Sequence, residues 1–143
     1  VARYCTTIQS KMGADAAFSY MADFANAREW DPSVRSARRL DAGPVAAGSR
    51  FELVVSFARR TVQLEYSITT FDAPNVVVLS AHNSLFRSID TVTVTAGAGG
   101  SSVEYDATLV GKGWFRLFDP LLALTFRRVG GHARDGLQRV LNP

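Results

Sequence analysis

Along most of this chain apolar and polar residues alternate with a period of two. Between Arg3 and Gln9, Tyr4, Thr6 and Ile8 alternate with Arg3, Cys5 and Thr7, which predicts a strand. From Gly13 to Phe24 the period lengthens: Phe18, Met21 and Ala22 recur at helical spacing. Asn26 to Trp30 adds one more turn, and Asp31-Pro32 ends it, because proline disfavours the helical conformation in the residue before it. Period two then returns over Val34–Asp41, Arg50–Phe57, Thr61–Phe71, Val76–Asn83, Phe86–Ala96 and Val103–Val110. Turn signals separate these runs, including Gly43-Pro44, Arg59-Arg60, the Pro74 turn, Ser84-Leu85 and a Gly97–Ser102 loop expected to be flexible, so they read as an antiparallel meander. The last segment is helical. Asp119-Pro120 supplies an N-cap and a first-turn proline, and Leu122, Phe126, Val129, Ala133, Leu137 and Val140 form one apolar stripe. Gly130-Gly131 interrupts that stripe, each glycine at a cost of about 1 kcal/mol against alanine. Close approach to the sheet, a kink, or room left for a ligand would each account for the pair.

Carrying strand alternation from hairpin to hairpin shows which side chains share a face. A tight turn at Arg59-Arg60 places Phe57 opposite Val62, so Phe51, Leu53, Val55 and Phe57 face the same way as Val62, Leu64, Tyr66 and Ile68. Across the Pro74 turn Phe71 meets Val76 and Ile68 meets Leu79, which makes Val77, Leu79 and Ala81 inward. Across Ser84-Leu85, Leu79 meets Asp90, bringing in Ser88, Asp90, Val92 and Val94. Pairing Val94 with Val103 then adds Val103, Tyr105, Ala107 and Leu109. The inward face is therefore almost wholly apolar. Its polar members are Tyr66, Ser88, Asp90 and Tyr105, with Tyr105 diagonal to Asp90. A carboxylate on such a face is costly to desolvate unless paired or at a wet cavity, and its pKa rises when it is buried without a cation. The expected architecture is a single α+β domain over residues 1–143, a curved sheet of about seven strands closing on a long C-terminal helix around an apolar pocket.

Composition narrows the possibilities. Of the 143 residues 47% are hydrophobic and 20% charged, which supports a core and excludes disorder. No run approaches the roughly 18 apolar residues of a membrane span. Cys5 is the single cysteine, so an internal disulfide and a Cys-built zinc site are excluded and a reducing, cytoplasmic setting is expected. The formal charge of +3 comes almost entirely from arginines, among them the pairs Arg38-Arg39, Arg59-Arg60 and Arg127-Arg128, read as solvated faces in preference to a nucleic-acid surface. His82 is assigned to the outer face and His132 to the flank of the last helix, so neither makes a metal site or a triad. Gly97-Ala98-Gly99-Gly100 lies between strands and not before a helix, which removes a dinucleotide reading.

Several segments together resemble the polyketide cyclase/dehydrase-like branch of the START and birch-pollen-allergen superfamily, nearly end to end. They are Phe18-Ser19-Tyr20-Met21-Ala22-Asp23-Phe24, Trp30-Asp31-Pro32, Gly48-Ser49-Arg50-Phe51, Ser88-Ile89-Asp90-Thr91-Val92-Thr93-Val94, Tyr105-Asp106-Ala107-Thr108-Leu109 and Phe118-Asp119-Pro120-Leu121-Leu122, followed by Phe126-Arg127-Arg128 and Gly136-Leu137. The resemblance implies a helix-grip fold, with the sheet wrapped around the last helix, and a deep cavity for small apolar ligands such as polyketides, lipids or isoprenoids. Cyclases, dehydratases and carriers all occur in it, so catalysis is left open. The Gly130-Gly131 pair departs from what it implies.

The residues expected to line the cavity are Trp30, Phe51, Leu53, Val55, Phe57, Leu64, Tyr66, Leu79, Ser88, Asp90, Val92, Tyr105, Ala107, Leu109, Phe118, Leu122 and Phe126. Asp90 with Tyr105, and Tyr66 beside them, is the candidate catalytic set: a carboxylate in an apolar pocket serves as a general base, and a tyrosine hydroxyl holds a carbonyl oxygen. The competing reading is a structural aspartate bonded to its neighbours. Trp114, Phe115 and Phe118 would form either a gate or an apolar patch for a partner or membrane surface. No cofactor, metal or specific nucleic acid is called for. The expected partner is a small hydrophobic molecule, with peripheral membrane contact and a monomer or homodimer left open.

Overall fold

A computed structural model describes residues 1–57, 59–113 and 119–143, without the side chains of Phe57, Asp119 and Leu122. Strand β1 (Ala2–Ser10) is followed by helix α1 (Ala14–Ala22), a 3-10 turn at Phe24–Asn26 and the short helix α2 (Ala27–Trp30). Strands β2 (Val34–Arg39), β3 (Arg50–Phe57), β4 (Arg60–Asp72), β5 (Val76–His82), β6 (Phe86–Gly97) and β7 (Gly100–Gly111) form the meander, and helix α3 (Asp119–Val140) ends it. All seven strands belong to one antiparallel sheet in the order β1-β7-β6-β5-β4-β3-β2. No helix among the described residues is long and apolar enough to cross a membrane.

The expected alternation holds through the whole meander. Leu79 pairs with Asp90, Asp90 with Ala107, and Val94 with Val103. Two pairings shift at hairpin ends. Phe57 lies opposite Arg60 and not Val62, because the β3–β4 ladder runs closer to its tip; Val62 pairs with Val55. The shift is even, so both strands keep their inward faces. Ile68 meets Leu79 as expected, but a bulge between Ile68 and Thr70 moves Phe71 from Val76 to Val77. The connection read as a Gly97–Ser102 loop between two strands is a hairpin tip, shorter than that span because the ladder runs on until Gly97 pairs with Gly100. Gly99 at its tip takes φ 78°, a left-handed conformation that glycine adopts without strain.

Helix α3 packs on β1 and α2. Two of its glycines mark the places of closest approach. A Cβ at Gly130 would lie 2.3 Å from the Tyr4 ring, and one at Gly136 would lie 1.8 Å from the Trp30 carbonyl oxygen. Gly131 has open space around its missing Cβ. Close packing therefore accounts for Gly130, and nothing in the structure explains Gly131. Beyond Gly130 the stripe is Ala133, Leu137 and Leu141, all buried. Leu141 takes the deep position expected for Val140, which is half-buried. Polar clamps hold this half of the helix on β1: Arg134 donates to Thr6 at 2.6 Å, Ser10 donates to the Leu141 carbonyl at 2.6 Å, and Asn142 donates to the Gln9 carbonyl at 2.9 Å.

Candidate ligand-binding site

The concave face of the sheet is divided. At one end α1 packs on β6 and β7, and Phe18, Met21, Val77, Leu79, Val92, Val94 and Val103 form a solid core. At the other end a hollow of about 80 Å³ lies between the sheet, α2 and the first half of α3. Its wall includes Leu53 and Val55 from β3, Leu64 and Tyr66 from β4, Phe86, Ser88 and Asp90 from β6, and Tyr105, Ala107 and Leu109 from β7. Phe24, Ala27, Trp30, Asp31, Phe126 and Val129 close it from above.

The polar groups of this wall converge on Asp90, which is 3% exposed. Tyr105 donates to Asp90 Oδ2 at 2.5 Å. Ser88 donates to Asp90 Oδ1 at 3.1 Å and accepts from the Tyr66 hydroxyl at 3.1 Å. The register explains the cluster. Ser88 and Asp90 are two residues apart on one strand face, and Tyr105 sits opposite Val92, diagonal to Asp90. Burial pushes the Asp90 carboxyl up to about 6 against the downward pull of the Tyr105 and Ser88 hydrogen bonds, with the nearby Asp31 charge adding to the rise. Burial likewise raises Tyr66 and Tyr105 well above the ordinary phenol range, so both keep their protons at neutral pH. The rings are fixed by edge-on packing: Trp30 against Tyr105 at 5.1 Å and Phe24 against Tyr66 at 5.1 Å.

Trp30 and Asp31 are positioned by the docking of α2 on α3. The Trp30 backbone lies in the gap left by Gly136, and Arg139 donates to the Glu29 carbonyl at 2.9 Å. Asp31 ends α2. Its Oδ1 accepts from the Ser33 amide at 2.9 Å and from the Ser33 hydroxyl at 2.7 Å, an Asx turn that leads into β2. Burial raises its pKa, partly offset by these two bonds and by the His132 side chain.

Of the residues expected at the cavity, Trp30, Leu53, Val55, Leu64, Tyr66, Ser88, Asp90, Tyr105, Ala107, Leu109 and Phe126 line the hollow. Phe51, Leu79 and Val92 share their face but are fully buried and do not line the hollow; Phe51 is covered by the Phe24 ring, edge-on at 6.5 Å. The side chains of Phe57 and Leu122, and the whole of Trp114, Phe115 and Phe118, lie outside the described residues. Phe24, Ala27, Asp31, Ser33, Val34, Ser56, Phe86 and Val129 also line the hollow and are not among the expected residues. Phe86 follows directly from the Ser88 and Asp90 alternation, whereas Asp31 has no periodic signal because it stands at a helix end. His82 and His132 are exposed, as expected.

Two features lie apart from this site. Cys5, Glu104 and Asp106 bring one ligand atom each to within 4.8 Å of one another on the outer face, but Arg3 already engages Asp106 at 2.6 Å. A wider hollow of about 620 Å³ beside the Gly97–Gly100 hairpin is shallow and lined by polar residues such as Gln9, Lys11 and Gln138.

A sheet curled around a C-terminal helix, with an apolar hollow between them, defines a helix-grip fold. Solved structures share it across nearly their whole length. A START superfamily protein from Mycobacterium smegmatis superposes with a TM-score of 0.77 at 12% identity, covering 99% of this chain and 97% of that one. The protein TTHA0849 from Thermus thermophilus gives 0.77 at 14% identity, with 98% and 95% covered. Major latex-like protein 151 from Panax ginseng gives 0.66 at 12%, with 99% and 98% covered. No curated protein sequence matches the chain. The chain belongs to the polyketide cyclase / dehydrase and lipid transport family, whose model matches residues 2–141.

Proposed function

We propose that this protein binds a small, mainly apolar molecule of polyketide, lipid or isoprenoid type in the hollow between the sheet and the first half of α3. The observation that carries this reading is the division of the concave face. One end is packed solid, while the other leaves an apolar space with its hydroxyls and carboxylate gathered at one point. That is the composition of a small-molecule site: apolar walls with a few placed polar groups. At about 80 Å³ the space is smaller than the ~300–1,000 Å³ of typical ligand sites, so a guest of that size requires the rim to move outward. Phe126 and Val129, both half-buried, are the rim residues on α3. Native mass spectrometry followed by thermal-shift titration with fatty alcohols, isoprenoids and aromatic polyketides tests the reading. A retained apolar mass or a melting point that climbs with ligand concentration supports it, and no shift across the panel contradicts it.

A second reading is favoured by one observation, the Asp90 carboxyl lifted to about 6 beside the Tyr105 hydroxyl. A base with that pKa is matched to proton abstraction near neutral pH, and Tyr105 or Tyr66 would steady a carbonyl oxygen by turning its hydroxyl from Asp90 or Ser88 to the guest. This corresponds to a cyclase or dehydratase that works without a cofactor. Asp90→Asn separates the two readings: lost turnover with binding retained supports the enzyme, and unchanged turnover removes Asp90 as its base.

A further inference from the structure

Resting on the binding reading above, the charge of the wall specifies the polar end of the guest. The described residues around the hollow include two carboxyl groups, Asp31 and Asp90, and no lysine, arginine or histidine. The two carboxyls are differently engaged. Asp90 accepts a hydroxyl on each oxygen. Asp31 has both Ser33 donors on Oδ1, and its Oδ2 accepts no hydrogen bond among the described residues. Asp31 is half-buried and lines the hollow, and its Oδ2 has no described donor. The two groups sense one field: the Asp31 charge raises the proton affinity of Asp90, Tyr66 and Tyr105. His132 acts on Asp31 from an exposed position and does not line the hollow. Around these acceptors stand the rings of Phe24, Trp30, Tyr105 and Phe126.

We infer that the cavity selects an apolar molecule whose polar end donates hydrogen bonds and carries no negative charge, an alcohol, phenol or ammonium, recognised by Asp31 and Asp90. A carboxylate guest would bring a third negative group into a low-dielectric space with no cation on its described wall, where repulsion is screened least. A donor head does the reverse. It satisfies the open Asp31 oxygen while its apolar body lies against the aromatic rings.

The test is a matched series on wild-type protein: naphthalen-2-ylmethanol, naphthalen-2-ylmethylammonium and 2-naphthoate, titrated by calorimetry at pH 7.5 and constant ionic strength. The alcohol and the ammonium are expected to bind at least about tenfold more tightly than the carboxylate. Asp31→Asn is expected to shrink the ammonium-to-carboxylate ratio about tenfold. A carboxylate that binds as tightly as the alcohol overturns the inference and leaves the binding reading intact. So does a ratio unchanged in a folded Asp31→Asn variant. If none of the three compounds binds, the binding reading fails and the inference falls with it. The wild-type series decides the preference even where the variant does not fold.

Discussion

Helix α3 crosses the sheet at Gly130, and its two halves meet different surfaces. C-terminal to the crossing, Ala133, Leu137 and Leu141 are buried, and Arg134, the Leu141 carbonyl and Asn142 are tied to β1 by hydrogen bonds. N-terminal to it, Phe126 and Val129 are half-buried over the hollow, and Leu121 and Leu124 are 62% and 64% exposed. The row of the sheet beneath the crossing runs from Tyr4 through Ala107 and Asp90 to Leu79 and Ile68. Asp90 thus stands at the boundary between a sealed half and an open one. A sealed core gains stability from each buried methylene, while a hollow forgoes part of that gain and leaves room for a guest.

The largest expected effect separates the two halves by truncation. Leu137→Ala, at a fully buried site, is expected to cost about 2–5 kcal/mol by chemical denaturation. Val129→Ala, beside space that already exists, is expected to cost at most about 1 kcal/mol. Equal costs would mean that the hollow is packed as tightly as the core.

The next effect concerns pH. The folded Asp90 carboxyl is raised to about 6 from its ordinary 3.8, so the folded state holds this proton more strongly than the unfolded chain does. The Asp90 contribution to stability is therefore fully present below the ordinary value and is lost as pH rises through the folded one, by about 3 kcal/mol in all. Asp90→Asn removes this dependence. The stability of the variant relative to wild type is expected to climb between pH 4 and 6, and a flat difference would contradict a buried, titrating Asp90.

The smallest effect tests the crossing itself. Gly130→Ala forces a Cβ against the Tyr4 ring and is expected to cost about 1–3 kcal/mol, despite alanine's better helix propensity. In a Tyr4→Ala background the same substitution is expected to become stabilising, by up to about 1 kcal/mol. A Gly130→Ala cost that is the same in both backgrounds would mean that Tyr4 is not what excludes the side chain.

The parts of this molecule legible in its sequence are those that burial enforces locally. Parity along β3 to β7 was readable because a one-residue slip would turn Asp90 and Ser88 outward with every valine around them. The β3–β4 tip was less readable, since a shift of two residues preserves the faces and leaves no mark on the apolar pattern. Parity also assigns a face without saying which half of it is covered. Leu79 and Val92 point the same way as Asp90 and Tyr105, yet α1 packs on β6 and β7 at their end, while Phe51 is covered by the Phe24 ring. Asp31 lay beyond any periodic signal. Its direction depends on how α2 docks through Gly136 and Arg139, contacts separated from it by about a hundred residues of chain. Gly130 appeared as an interruption of a stripe, and only the crossing over Tyr4 gives it a reason.

The most direct test of the central claim, that one half of the concave face is a binding hollow, is mapping of amide shifts on titration with naphthalen-2-ylmethanol. The account predicts saturable changes grouped on Leu53, Tyr66, Ser88, Asp90, Ala107 and Val129, with Val77, Val94, Val103 and Leu137 unmoved. Changes centred on the sealed half or on the polar hollow beside the Gly97–Gly100 hairpin would contradict it.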